Sequence, residues 1–222
     1  MFQDIESYLV RRAVCNLTTK NYNRTFLSIL NKMRKEKLPN RDLLRRELSQ
    51  LKGDSDMWPS DEPFEGNLIH SPIYSYNILG PWKTQMILRA IELELMTPKS
   101  EGIGTPRILT VEHVMPQSPK NDEWPYPQID PGQPSWLIQR WRIMQTLGNL
   151  TLLTQSLNSA ISNGPFSTKR SEIAKQSQLR LNAYFQQFKD DYQWDEVAIL
   201  KRGGGLAKLA LRIWPGPESV TS

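Results

Sequence analysis

The sequence predicts a predominantly helical α+β protein with one small strand–loop–strand–helix unit set inside it. Three observations carry that prediction. Apolar residues recur at three- and four-residue spacing through most of the chain. Two short runs break that period, RILTVEH at 107–113 and GNLTLLT at 148–154. And 222 residues, 38% of them hydrophobic and including seven Trp and seven Tyr, supply enough apolar surface for one sizeable domain or two small ones.

In chain order, Ile5, Tyr8, Leu9 and Ala13 fall on one face of a helix over 2–15, with Arg11 and Arg12 flanking it. Tyr22, Phe26, Ile29, Leu30 and Met33 repeat the pattern over 20–37. A third helix is predicted from Asn40, its N-cap, to Leu51. Gly, Pro and acidic residues over 53–67 predict a loop that also takes in His70, to which no role is assigned. PWKTQMILRAIELELM at 81–96 predicts a helix with proline in its first turn. A second loop spans 98–106, and alternation over 107–113 predicts a strand ending at or just before His113. Five prolines make 118–135 a long loop. Residues 136–146 are helical, Gly148 turns the chain into a second strand, and a short helix over 155–162 ends at Asn163-Gly164-Pro165. Two final helices cover 167–188 and 194–213. The triplet Gly203–Gly205 predicts a break in the last, since glycine costs about 1 kcal/mol per helical position.

Composition removes several functions. No apolar run approaches 18 residues and the start has no signal-peptide pattern, so a cytoplasmic protein without a membrane span is expected. The single cysteine, Cys15, forms no internal disulfide and reads as a small buried hydrophobe. With only His70 and His113 beside it, zinc sites of four cysteines or of two cysteines and two histidines are excluded. A metal here would be held mainly by oxygen, which points to a hard cation such as Mg2+ or Mn2+. Charge is segregated. Residues 1–52 carry twelve Lys/Arg against five Asp/Glu, 53–162 seven against twelve, and 163–212 nine against five. Basic ends around an acidic middle suit a nucleic-acid surface about a metal site, and equally suit ordinary solvated helix faces.

The residues able to carry chemistry cluster in the strand–loop–strand–helix unit: Glu112 and His113 at a strand end, Asn149 at the entrance to the second strand, Asn158 on the short helix, and Lys169 after the NGP turn. Singly, each has an ordinary structural role as a strand-end histidine, a turn residue, a cap or a solvated lysine. Together, EHVMPQS at 112–118 and GNLTLLTQSLNSAISN at 148–163, with Phe166 and Lys169 beyond, resemble the ββα-metal (His-Me finger) core of His-Asn-His nucleases. They resemble in particular the C-terminal nuclease domain of GmrSD-type modification-dependent restriction enzymes. Phage-defence nucleases that sense phosphorothioate-modified DNA share that domain, and HVMPQS also resembles the nuclease domain of CRISPR effectors. IESYLVRRAV and LAKLALRIWP are similar to the helical surround of the same domain.

The resemblance implies one domain over 1–222, with a helical surround at 1–97, the ββα-metal core at 107–170 and C-terminal helices at 171–214. It implies that the chain is the C-terminal part of a larger protein. It implies a DNA endonuclease of a restriction or phage-defence system, with His113 as general base, Asn149 pinning the loop that orients it, Glu112 and Asn158 as metal ligands, and Lys169 near a phosphate. The third family position, often histidine, is Asn158 here, which favours Mg2+ or Mn2+ over zinc. Physical chemistry agrees: phosphodiester hydrolysis needs a base for water and a cation for the developing charge. Because consecutive strand residues point to opposite sides, the strand must end or twist between Glu112 and His113 for both to serve one site. In the resembling enzymes an N-terminal NTPase sensor domain licenses cleavage, and no Gly-Lys-Ser/Thr phosphate loop occurs in this chain. A non-cutting DNA- or partner-binding module that awaits such a sensor is therefore the alternative, and an RNA nuclease a further one. Trp124, Trp136 and Trp141 in the long insertion would shape access to DNA or pack a lid.

Overall fold

The structure is a computed structural model, and it describes residues 1–36, 40–97, 108–120, 123–124, 135–189 and 191–218. The loops expected over 98–106 and most of 118–135 lie outside the described residues, as does the side chain of Trp136. Two compact units form, one from Met1–Asn67 with Leu211–Ser222 and one from Leu68–Ala210. Among the described residues no helix is long and apolar enough to cross a membrane.

In the first unit the predicted amphipathic helices form as α1 (Phe2–Val14), α2 (Tyr22–Lys35) and α3 (Arg41–Ser49). Asn40 caps α3, its side-chain oxygen accepting from the amides of Asp42 and Leu43 at 2.8 and 3.2 Å. Tyr8 centres an apolar cluster with Ile29, Leu44, Leu48 and Trp58, and meets Phe26 and Trp58 edge-on. Three expectations change here. Residues 53–67 are not all loop, because α4 spans Asp61–His70. The acidic pair Asp61–Glu62 and Pro63 suit a first helical turn, and Phe64 and Leu68, one turn apart, are both buried. His70 is thus the end of a helix. Arg11 and Arg12 are fully buried instead of flanking the core as a basic edge. Arg11 donates to the carbonyls of Pro59 and Trp214 and to Asp61, and Arg12 to those of Met57 and Ser55. These two of the twelve cationic side chains in residues 1–52 therefore serve to pin the 55–61 segment. Cys15 is half-buried at the C-terminal cap of α1.

In the second unit α5 (Gly80–Leu95) begins with Pro81 in its first turn, as expected. β1 (Thr110–His113) and β2 (Leu150–Leu153) pair antiparallel, with Glu112 opposite Thr151 and His113 opposite Leu150. α6 (Ser135–Met144) and a 3-10 turn at Leu147–Asn149 lead into β2, and α7 (Gln155–Ile161) and α8 (Phe166–Gln176) follow it. The sheet is covered by an apolar cluster in which Phe166 stacks on Trp194 at 5.4 Å. Trp124 is buried in this cluster, whereas Trp141 is exposed.

The single helix expected over 167–188 is broken after Gln176. α9 (Arg180–Ala183) starts anew and passes into a 3-10 turn at Tyr184–Gln187. The buried Glu92 carboxylate caps α9 by accepting from the amides of Arg180 and Leu181 at 2.9 and 2.7 Å. The last helix, α10 (Glu196–Ile213), runs unbroken through Gly203–Gly205. The close approach to this helix demands glycine at Gly148, where a Cβ would come 2.0 Å from the Ile199 carbonyl oxygen, whereas a Cβ on Gly203 would meet the Gly148 Cα at an ordinary 3.6 Å. Added Cβ atoms on Gly204 and Gly205 would meet nothing, and nothing in the structure explains those two.

Candidate active site

β1 ends at His113, and the chain then turns through Val114 and Met115. That ending resolves the parity problem posed by adjacent strand residues. Glu112 and His113 both line one cavity of about 200 Å³, together with Gln117, Asn158, Ser162 and Asn163. They are 8% and 5% exposed.

Asn149 is fully buried and holds the turn after His113. Its amide nitrogen donates to the carbonyls of Met115 and Met144 at 2.8 and 2.9 Å. Its amide oxygen accepts from the Met115 amide at 2.8 Å and from the Trp194 indole at 3.2 Å. Its own backbone carbonyl accepts from Val114 at 2.9 Å. Every hydrogen-bonding atom of this side chain is used, so Asn149 positions the 113–115 backbone. Arg202 braces the same turn from behind, donating at 2.8 Å to the carbonyls of both Gly148 and Leu150.

Asn158 reaches the cavity from α7. Its amide nitrogen donates to Thr110 Oγ1 at 2.9 Å and to the Val111 carbonyl at 3.3 Å. Its amide oxygen carries no hydrogen bond among the described residues. Ser162, which ends α7 at the cavity, has a positive φ of 34°, an uncommon conformation for a residue other than glycine.

Lys169 differs most from expectation. It is 0% exposed, with Nζ 2.5 Å from Glu112 Oε1 and 2.8 Å from the His113 carbonyl oxygen. In this structure the ammonium neutralises Glu112 and ties down the end of β1, and is not presented to an incoming phosphate. Burial raises the Glu112 carboxyl above its ordinary value even against the attraction of Lys169. Burial also lowers the Lys169 ammonium, again opposed by its partner. His113 is pushed down to about 4 by burial, with Gln145 acting in the opposite sense and the Lys169 charge adding to the depression. The imidazole is thus neutral at physiological pH.

Three residues about the imidazole had no role in the sequence reading. Tyr74 meets it edge-on at 4.5 Å, and Gln145 and Gln117 lie at its two nitrogens. Gln117 stands in the EHVMPQS run and could have been singled out from it. Tyr74 and Gln145 sit where no periodicity or motif marks them.

The family model for GmrSD restriction endonucleases, C-terminal domain, matches residues 58–209. The chain belongs to that family. No curated protein and no solved structure matches it. As a GmrSD C-terminal domain it is a nuclease of the restriction type, and the matched residues include both strands and all five residues singled out from the sequence.

Proposed function

We propose that this GmrSD C-terminal domain cleaves DNA with a ββα-metal core made of β1, β2 and α7, using His113 as general base with Mg2+ or Mn2+. The observation that carries the reading is that the adjacent Glu112 and His113 line a single polar cavity with Asn158, which is distant from them in sequence. His113 takes a proton from water, the water oxygen bonds to phosphorus, and the bond to the leaving sugar oxygen breaks. One positioned base contributes roughly 10²–10⁴ in rate. Burial keeps the imidazole neutral but makes it a weak base. A phosphate anion entering the cavity would raise its proton affinity at the moment it is needed.

The donor set suits a hard cation. Glu112 offers a carboxylate and Asn158 an amide oxygen, and phosphate oxygens and water would complete the shell. No group of three or more His, Cys, Asp or Glu able to hold a metal occurs among the described residues, so the protein would supply a partial shell. Such an ion would offset charge on the phosphate and the departing oxygen. Lys169, placed behind Glu112, holds that carboxylate and the His113 carbonyl in position. A separate sensor domain or subunit would license cutting, in keeping with a family described as a C-terminal domain.

The test is incubation of supercoiled plasmid, and of RNA in parallel, with Mg2+, Mn2+ or chelator. Metal-dependent nicking of DNA, lost in His113→Ala, is expected. Full activity in His113→Ala would refute the mechanism. Salt-sensitive DNA binding without cleavage in manganese would favour a non-cutting module.

A further inference from the structure

A neutral imidazole carries its proton on one nitrogen and a lone pair on the other, and in a buried site the neighbours choose between them. The two sides of the His113 ring are unlike. Nε2 lies 3.2 Å from Oε1 of Gln145, which is buried. Two backbone bonds fix Gln145: its amide donates to the Arg142 carbonyl, and its own carbonyl accepts from Tyr74, both at 3.1 Å. Tyr74 in turn packs edge-on against the imidazole, so one segment holds both members of the pair.

Nδ1 has only Gln117, at 3.5 Å, and Gln117 is exposed on the cavity wall. A third contact closes the triangle, Gln145 Nε2 to Gln117 Oε1 at 3.5 Å. Distances of 3.5 Å are at the limit of a hydrogen bond, so the Nε2 side is the stronger anchor. The contacts then run in one sense: His113 Nε2–H to Gln145, Gln145 N–H to Gln117, Gln117 N–H to Nδ1.

We propose that Gln145 is a positioning residue that fixes His113 as its Nε2–H tautomer, so that Nδ1 is the atom that accepts the proton from water, with Gln117 covering Nδ1 until substrate displaces it. The inference rests on reading His113 as the base, and what it adds is the residue that sets the tautomer. A neutral amide orients the ring without adding a negative charge behind it. Gln117 would act on substrate entry and Gln145 on the chemical step.

Nitrogen-15 NMR of the ring nitrogens reads the tautomer directly in the protein as it stands. Only His70 and His113 contribute, and His70→Gln assigns them. At neutral pH the wild type is expected to show His113 protonated on Nε2. Gln145→Leu is expected to lose that single signature and to lower kcat for plasmid nicking about tenfold or more with KM little changed. Gln145→Glu, which keeps an oxygen acceptor, is expected to retain the tautomer and serves if the leucine variant does not fold. A wild-type His113 protonated on Nδ1, or an unchanged tautomer in Gln145→Leu, would overturn the proposal. Wild-type protein that cuts no DNA would remove the nuclease reading alone, because the spectrum reports the tautomer independently of activity.

Discussion

Asp4 and Glu112 are both buried carboxylates with cationic partners, one in each compact unit. Asp4 meets two guanidiniums, Arg41 Nε at 2.7 Å and Arg45 NH1 at 2.5 Å. Glu112 meets one ammonium, Lys169, at 2.5 Å. Burial raises both. At Asp4 the hydrogen bonds from Arg41, Arg45 and the N-terminal ammonium together outweigh it and hold the carboxyl at about 2. At Glu112 a single amine, itself desolvated, does not, and the carboxyl stays above its ordinary value. Two buried, paired carboxylates are thus shifted in opposite directions, Asp4 down and Glu112 up. Only Glu112 borders the polar cavity with His113 and Asn158.

Removing the single partner is the hardest way to break this contrast. Lys169→Met leaves Glu112 buried and unpaired, a change that costs about 3–5 kcal/mol. Urea denaturation at neutral pH should show that loss, and the Glu112→Gln/Lys169→Met double variant should recover most of it. Equal losses in the single and double variants would mean the pair is not the unit described here. Gly148→Ala drives a Cβ into the Ile199 carbonyl, and should cost about 1–3 kcal/mol and depress nicking by disturbing the Asn149 turn. Asp4→Asn should cost less than Lys169→Met, about 2 kcal/mol, because Arg41 keeps access to water and Arg45 keeps the Gly216 carbonyl as an acceptor.

The smallest effects lie in pH, and their signs are opposite. The folded Asp4 carboxyl, at about 2, lies below its ordinary 3.8, so the unfolded chain binds more protons between those values. Its stabilisation is full above about 4 and is lost as pH falls through 2, a limb that Asp4→Asn should flatten. The Glu112 carboxyl is raised, so the folded chain binds more protons, and stability falls as pH rises past the ordinary glutamate range. Glu112→Gln should remove that decline. Acid and neutral denaturation series on the two variants check both signs.

The contrast also marks what a sequence can carry. The β1–β2–α7 order, the N-cap at Asn40 and the meeting of Glu112, His113 and Asn158 on one cavity were legible, because they depend on local period, local caps and a spaced motif. The end of β1 at His113 followed from the alternation over 107–113, and the parity argument required it. The burial of Arg11 and Arg12 was not legible, since the carbonyls of Met57, Pro59 and Trp214 that they satisfy belong to irregular or distant segments. Pro63 misled because the same residue marks loops and first helical turns. The Gly203–Gly205 triplet misled because the helical cost of glycine is a local term, and α10 runs through it unbroken. Lys169 could be assigned a charge but not a direction, and Gln145 is distinguished only by lying beside an imidazole.

The central claim is that a divalent ion and an imidazole meet at this cavity. The most direct measurement is the anomalous diffraction of crystals grown with manganese and a short DNA duplex. The account predicts a peak about 2.1 Å from oxygens of Glu112 and Asn158, with His113 beside the phosphate and not bound to the ion. Manganese bound elsewhere, with no ion at Glu112 and Asn158 and no phosphate near His113, would contradict it.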